Sequence, residues 1–375
     1  MIVLLILLSG LHAETGRFPA ALHAETLEER LARDIRNHVL NDFSHIEAAF
    51  ILSGVNKKDS LDLYLDWYRG LVQEIRNMPS DPADRPGNAA RVFNVLHARW
   101  FRTYQLEATT LLDVVHEKRF NCVSATILYN LICEDLGWET MAFETPTHVY
   151  TLFLNFTQEL MVENTSPMGF DIMKNLKEYT RYIAHYYPES EVARIGLDRL
   201  YYHEQSRGRR IDNTELLGLL AYNQAYFARK RGDYARAYDL VLLAQDFNRD
   251  SRSNTQFERG LYHAWGKKLF DEKNYTASFA VLADGAYRYP GDPGLTQNTR
   301  AAFHRAMQSF RIKGDWESAR QMTEELLELR ILDADYGKAL RRMIGEWRDI
   351  LARTGRTVEA EEAASLTSRI AAGLR

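Results

Sequence analysis

A thiol, an imidazole and a carboxylate or amide stand in that order within 43 residues of this chain: Cys122 in RFNCVSATILYN, His148 in THVYTLFLNF, and Glu163 beside Asn164 in ELMVENTSP. Those groups are what nucleophilic acyl transfer needs. A thiolate attacks a carbonyl, an imidazole moves the proton, and a third group accepts a hydrogen bond from the far ring nitrogen, fixing tautomer and orientation. Cys122 stands between a polar approach and the apolar run CVSATILYNLICEDLG, so it is expected to open a helix. There the unpaired backbone N–H groups and the positive end of the helix dipole favour thiolate over thiol. Cys133 lies deeper in the same helix beside Leu131, Ile132 and Leu136 and reads as a small core residue. The two cysteines would be about 16 Å apart along that helix at ~1.5 Å per residue, too far for a disulfide, which tolerates Cα separations of up to about 7 Å.

The elements that must hold these groups follow from the apolar periodicity. Ala125, Leu128, Leu131, Ile132 and Leu136 give the nucleophile helix a buried stripe, and Gly137 is placed to end it. Beyond Gly137 the segments ETMAFETP, HVYTLFLNF and ELMVENT are short and rich in β-branched and aromatic residues, which predicts consecutive antiparallel strands. Alternation puts His148, Tyr150, Leu152 and Leu154 on one face, so the histidine heads an inward-facing row. The same alternation points Glu163 and Asn164 to opposite faces, so at most one of them can orient the imidazole. Which one is left open at this level.

A cysteine opening a helix, a histidine on a later strand and an acid or amide on the next one resemble the transglutaminase-like superfamily. The closest resemblance is to its compact bacterial branch, in which such a papain-like cysteine core is joined to tetratricopeptide repeats. The phrases that carry it are FNCVSATILYNLICEDLGWE, TPTHVYTLF and VENTSP, and it spans roughly residues 90 to 185. The resemblance implies an α+β core with the nucleophile helix packed on a small antiparallel sheet. It assigns Cys122 as nucleophile, His148 as base and Glu163 as acid, with Asn164 the alternative by analogy with papain-like sites. It implies no cofactor and no metal, and a protein or peptide amide as substrate. Water as acceptor makes such a site a protease or amidase; an amine makes it cross-link. In that family the helix usually begins Gly-Asn-Cys and the acid is an aspartate. Here Phe120 occupies the glycine position, where it could crowd a substrate carbonyl or cover the site, and Glu163 adds a methylene. Folds of this type also serve as binding modules without chemistry, so a catalytically inactive scaffold for protein–protein interaction is the alternative function.

From about residue 213 the chain is helical and repeats. RGDYARAYDLV, EKNYTASFAVL, KGDWESARQMT and TGRTVEAEEAA set Asp233, Asn274, Asp315 and Arg356 at equivalent points, with successive spacings of 41, 41 and 41. A fixed period of this size signals stacked helical hairpins, each too small to bury its apolar face alone. Small residues at Ala225, Ala237 and Ala244, then Gly266, Ser278 and Gly285, with Pro290 closing the unit, resemble tetratricopeptide repeats elongated by about two helical turns. The resemblance implies a surface for a protein partner or substrate.

Composition bounds the rest. With 375 residues, 46% of them hydrophobic, the chain can build more than one core. Its 47 basic and 51 acidic residues leave a formal charge of −4, which gives no global attraction to nucleic acid. His116, His148 and Cys122 lack the close pairing of common zinc sites, and no glycine-rich phosphate loop occurs. Trp100, Phe101 and Tyr104 read as helical core, and Asp171 as a loop residue. Residues 1–13, MIVLLILLSGLHA, resemble the apolar part of an export signal and are too short for a membrane span. This predicts a periplasmic or otherwise exported protein, cytoplasmic if the segment is no signal. The expected order is therefore a signal peptide at 1–13, a helical segment at 14–88, the transglutaminase-like core at 89–185, a linker at 186–212 and helical repeats at 213–375.

Overall fold

Capping chemistry sets the first helices. Thr26 and Glu29 form a reciprocal capping box on α1 (Leu27–Asp34), and Ser44 and Glu47 do the same on α2 (His45–Leu52). Helix α3 (Lys58–Arg76) follows, then α4 (Arg85–Arg99), with Asp84 as N-cap and Pro86 in its first turn. The structure is a computed structural model and describes residues 25–155, 158–329 and 331–372. The signal-like residues 1–13 lie outside the described residues.

Helix α4 stops at Arg99, before the three aromatics read as helical core. Trp100 and Phe101 both donate to Leu96 O, and the next backbone N–H groups, of Arg102 and Thr103, turn to Lys118 O. Two short parallel strands result, β1 (Thr103–Tyr104) and β2 (Arg119–Phe120), with Tyr104 opposite Phe120. Of the three aromatics expected to be core, Phe101 is buried and Tyr104 is 37% exposed. Tertiary pairing has overridden the helical spacing here.

Helix α5 (Cys122–Asp135) is buried on every side from Cys122 to Cys133, not along one stripe. Such a helix must be central. One cluster encloses it, drawn from α1–α4, the sheet residues Val149, Phe153, Leu160 and Val162, and later helical residues Leu216, Leu217 and Leu220. Gly137, at φ 76°, ends it as expected, with Trp138 N donating to Cys133 O. The predicted strands form as β3 (Thr140–Glu144), β4 (Val149–Asn155) and β5 (Gln158–Val162), all antiparallel.

Residues 186–212 are not a linker. After α6 (Leu176–Ile183) come α7 (Glu189–Ile195), α8 (Leu200–Arg207) and β6 (Arg209–Ile211), which pairs with β3 and gives the sheet its order β5-β4-β3-β6. Tyr179 and Ile183 from α6, with Tyr187 and Leu200 from this segment, cover Tyr150, Leu152 and Met161 on the sheet face turned away from α5. Both faces of the sheet are therefore buried. The row headed by His148 belongs to this second cluster, whereas Val149 and Phe153 face α5, so the row expected to face the nucleophile helix faces the opposite layer.

The chain divides at one place, with one compact unit ending at Phe257 and the other beginning at Glu258. The boundaries expected at 88/89 and 212/213 fall inside the first unit, whose larger cluster runs from Leu27 to Phe247. That unit also includes α9 (Asn213–Lys230) and α10 (Tyr234–Phe247). Helix α11 (Arg252–Asp271) begins in the first unit and continues in the second with α12 (Tyr275–Arg288), α13 (Pro293–Lys313), α14 (Trp316–Glu328), α15 (Ala334–Arg353) and α16 (Thr357–Ala372). The chain is thus mostly helical, with one small antiparallel sheet and a C-terminal run of helical hairpins. No helix among the described residues is long and apolar enough to cross a membrane.

The 41-residue period marks one structural event. Asp233, Asn274 and Asp315 are side-chain N-caps of α10, α12 and α14, and Arg356 immediately precedes α16. The residue before each is left-handed: Gly232 at φ 82°, Lys273 at 63°, Gly314 at 70° and Gly355 at 74°. Within the second hairpin the small residues allow close approach. Ser278 Oγ donates to Gly266 O at 2.8 Å, and a Cβ on Gly266 would lie 2.4 Å from Leu282 Cγ. Left-handed geometry costs a non-glycine residue about 1–2 kcal/mol, and glycine returns part of that as chain entropy. Lys273→Gly should therefore raise stability by roughly 0.5 kcal/mol and Gly314→Ala should lower it by about 1 kcal/mol, both read as shifts in urea-unfolding midpoints.

Candidate active site

The nucleophile position is built by its N-cap. Asn121 Oδ1 accepts from Val123 N at 2.9 Å and Ser124 N at 3.1 Å, and Ser124 Oγ accepts from Asn121 N at 3.0 Å. Asn121 Nδ2 also donates to Leu106 O, and Ser124 Oγ to Ala108 O, tying the first turn of α5 to the loop after β1. Cys122 is the first residue of α5 and is 9% exposed. The cap uses the next two N–H groups, and the N–H of Cys122 itself has no acceptor within the helix. Phe120 is buried against Phe101 at 5.0 Å, with Tyr104 and His97 at its edges.

His148 sits just before β4 in a turn, its N–H donating to Thr145 Oγ1 and its carbonyl accepting from Thr145 N. Its Nε2 lies 2.7 Å from Glu163 Oε2, with 3% of the histidine side chain and none of the glutamate's exposed. Cys122 is the other side chain near enough to act on the ring's proton affinity. An ionised carboxylate only accepts, so Nε2 carries the proton shared with Glu163. Burial opposes charge on the ring, but Glu163 and Cys122 together outweigh it and hold the imidazole pKa well above its ordinary value. Because the proton is held more tightly in the folded state, the charged ring contributes stability that is full below the unfolded value of about 6.5. That contribution is lost as pH rises through the raised folded value.

Of the two candidates for the third group, Glu163 meets the imidazole and Asn164 does not. Asn164 Nδ2 donates to Thr151 Oγ1 at 2.8 Å and Thr126 Oγ1 at 3.2 Å, on the α5 side of the sheet. Thr151 Oγ1 passes the contact on to Asn130 Oδ1. The alternation that separated Glu163 from Asn164 in the sequence is thus resolved by which row each joins. Cys133 is fully buried, and burial pushes its thiol pKa far up despite the hydroxyl of Tyr129. His116 is engaged by the Tyr64 hydroxyl at 2.8 Å, and Asp171 is a left-handed loop residue at φ 52°.

Sequence reading passed over four residues of this site. Asn121 was legible, because an Asn followed three residues later by a bonding side chain is a capping signature. Thr165 meets Glu163 from its far side and Tyr182 meets Thr165, and no motif marks either of them. His97, on α4, is the fourth. Burial among Phe93, Phe101 and Phe120 pushes its pKa down to about 4, although the Asn164 backbone and the Glu163 charge pull the other way. A thiol beside an imidazole that is oriented by a buried carboxylate can form a thiolate–imidazolium pair, which is the reactive form of a cysteine nucleophile.

No protein-family model matches this chain, and no curated protein matches it. Among solved structures it is similar to one described as "Crystal structure of menin reveals the binding site for Mixed Lineage Leukemia (MLL) protein". The identity is 12% and the TM-score 0.32, with 93% of this chain and 100% of that chain covered. A likeness of that size carries no argument about fold or function.

Two outcomes are expected at this site. The His148 ring followed by NMR should titrate above 6.5, and Glu163→Gln should bring that midpoint down by about 1–3 pH units. Asn164→Ala should cost about 1–3 kcal/mol of stability by stranding Thr126 and Thr151, yet leave the His148 titration where it was.

Proposed function

We propose that this chain performs cysteine-dependent acyl transfer on protein or peptide amides, using Cys122, His148 and Glu163 in a transglutaminase-like core. The observation that supports the reading is the buried His148 imidazole bonded to Glu163 through Nε2, with Cys122 near enough to raise the ring's pKa. The Cys122 thiolate attacks a carboxamide or peptide carbonyl, forming a carbon–sulfur bond, and the first-turn N–H of α5 faces the developing oxyanion. His148 gives its proton to the departing amine as the carbon–nitrogen bond breaks, leaving a thioester. Nδ1 then takes a proton from the incoming water or amine, which displaces the thiol and releases an acid or a new amide. Glu163 keeps Nε2 protonated throughout and opposes the positive charge that the ring carries. The C-terminal hairpins, tetratricopeptide-like in their small residues, would hold the protein substrate or a partner.

The 9% exposure of Cys122 favours a second reading, an inactive scaffold of the same fold that binds proteins only. The two readings separate on the chemistry of the thiol. Iodoacetamide alkylation of Cys122, followed by peptide mass spectrometry across pH with Cys133 as internal control, should be fast at pH 6. In His148→Ala it should slow by about tenfold or more, because an ordinary thiol with a pKa of about 8.5 is almost wholly protonated there. Equal, slow alkylation in both proteins would leave the scaffold.

A further inference from the structure

Glu163 reaches His148 with one more rotatable bond than an aspartate would have, and its terminal torsion is broad. A carboxylate on such an arm orients an imidazole only if something fixes its second oxygen. Here Oε2 takes the His148 contact, and Oε1 accepts from Thr165 N at 3.1 Å and from the Thr165 hydroxyl. The Thr165 hydroxyl in turn meets the Tyr182 hydroxyl. Directions follow from donor count. A carboxylate can only accept, so the Thr165 O–H points to Glu163, and its lone pairs are left to accept the O–H of Tyr182. Tyr182 comes from α6, whose residues Tyr179 and Ile183 cover the outer face of the sheet, and its ring packs in that layer. The hydroxyl therefore reaches the site from an element that bears none of the three reacting groups.

We propose that Thr165 and Tyr182 are positioning residues for the acid of this site, forming a directional relay from Tyr182 through Thr165 to Glu163 that fixes the carboxylate against His148. The inference rests on the acyl-transfer reading given above. The relay also explains how glutamate can stand where the resembling family has aspartate, since the extra methylene is restrained by two donors from Thr165. It makes the α6 layer part of the machinery, because a shift of that helix would withdraw the outermost donor.

The test uses the full chain and iodoacetamide, with the pH profile of Cys122 alkylation as readout. Thr165→Val removes the inner hydroxyl and should slow alkylation at pH 6 by about tenfold, the size expected for one hydrogen bond to a charged group. The acidic limb of the profile should move up with it. Thr165→Ser keeps the hydroxyl and should restore both. Tyr182→Phe removes one oxygen from a half-buried ring and should slow alkylation by about threefold with the same direction of shift; it decides the matter if Thr165→Val does not fold. A wild type that alkylates fast in a His148-dependent way, beside Thr165→Val and Tyr182→Phe profiles that overlay it, would overturn the relay and leave the acyl-transfer reading standing. A wild type with no His148-dependent reactivity would overturn both.

Discussion

Glu163 has no exposed side-chain surface, and a charge taken out of water costs several kcal/mol unless it is compensated where it lies. Everything around the site serves that compensation. The imidazole of His148 supplies the opposing charge, and Thr165 supplies two donors from the very next turn. The turn itself is closed by Glu163 N donating to Gly169 O and Gly169 N donating to Ser166 O. Gly169 can carry no side chain there, since a Cβ would lie 1.9 Å from Glu163 O. A second turn, closed between Thr145 and His148, brings the imidazole to the same end of the sheet. The two turns are bound together by the charge between them.

The sheet makes this possible by being covered on both faces. Its Val149, Thr151 and Phe153 row packs on the nucleophile helix, and its Tyr150 and Leu152 row packs under α6–α8. His148 and Glu163 lie just beyond the ends of β4 and β5, where side chains are no longer held to one row by ladder pairing. Cys122 enters from the helix side, and His148 and Glu163 from the opposite row. Behind them, Asn164, Thr151, Thr126 and Asn130 hydrogen-bond one another between strand and helix. That polar seam replaces apolar packing where the helix and sheet come closest to the charged pair, so a buried carboxylate has hydrogen-bonded neighbours on both sides.

The C-terminal hairpins rest on a different constraint, a chain reversal repeated at a constant interval. At each reversal a left-handed residue ends one helix, and an N-cap starts the next in three of the four cases by accepting from the third backbone N–H. In the fourth, Arg356 uses its guanidinium on Glu359 and Gly314 O instead. The repeat can therefore lose a cap without losing its period, because the turn geometry is carried by the preceding residue.

What the sequence determined by itself was local. The N-terminal position of Cys122 on its helix, the end at Gly137, the three antiparallel strands and the 41-residue reversals all depend on neighbours within a few positions, and the residue types state them. Trp100, Phe101 and Tyr104 deceived, because aromatic residues at helical spacing can equally fill an irregular segment held by strand pairing. Residues 186–212 looked like a linker because their short helices and final strand bury surface only against a sheet whose other strands lie far earlier in the chain. Alternation showed that Glu163 and Asn164 must part company, yet only the packed sheet decided which row meets the imidazole. Thr165 and Tyr182 stayed silent in the sequence for the same reason. A hydrogen bond between side chains of separate elements is set by register, rotamer and the layer above, and those exist only once the chain has closed on itself.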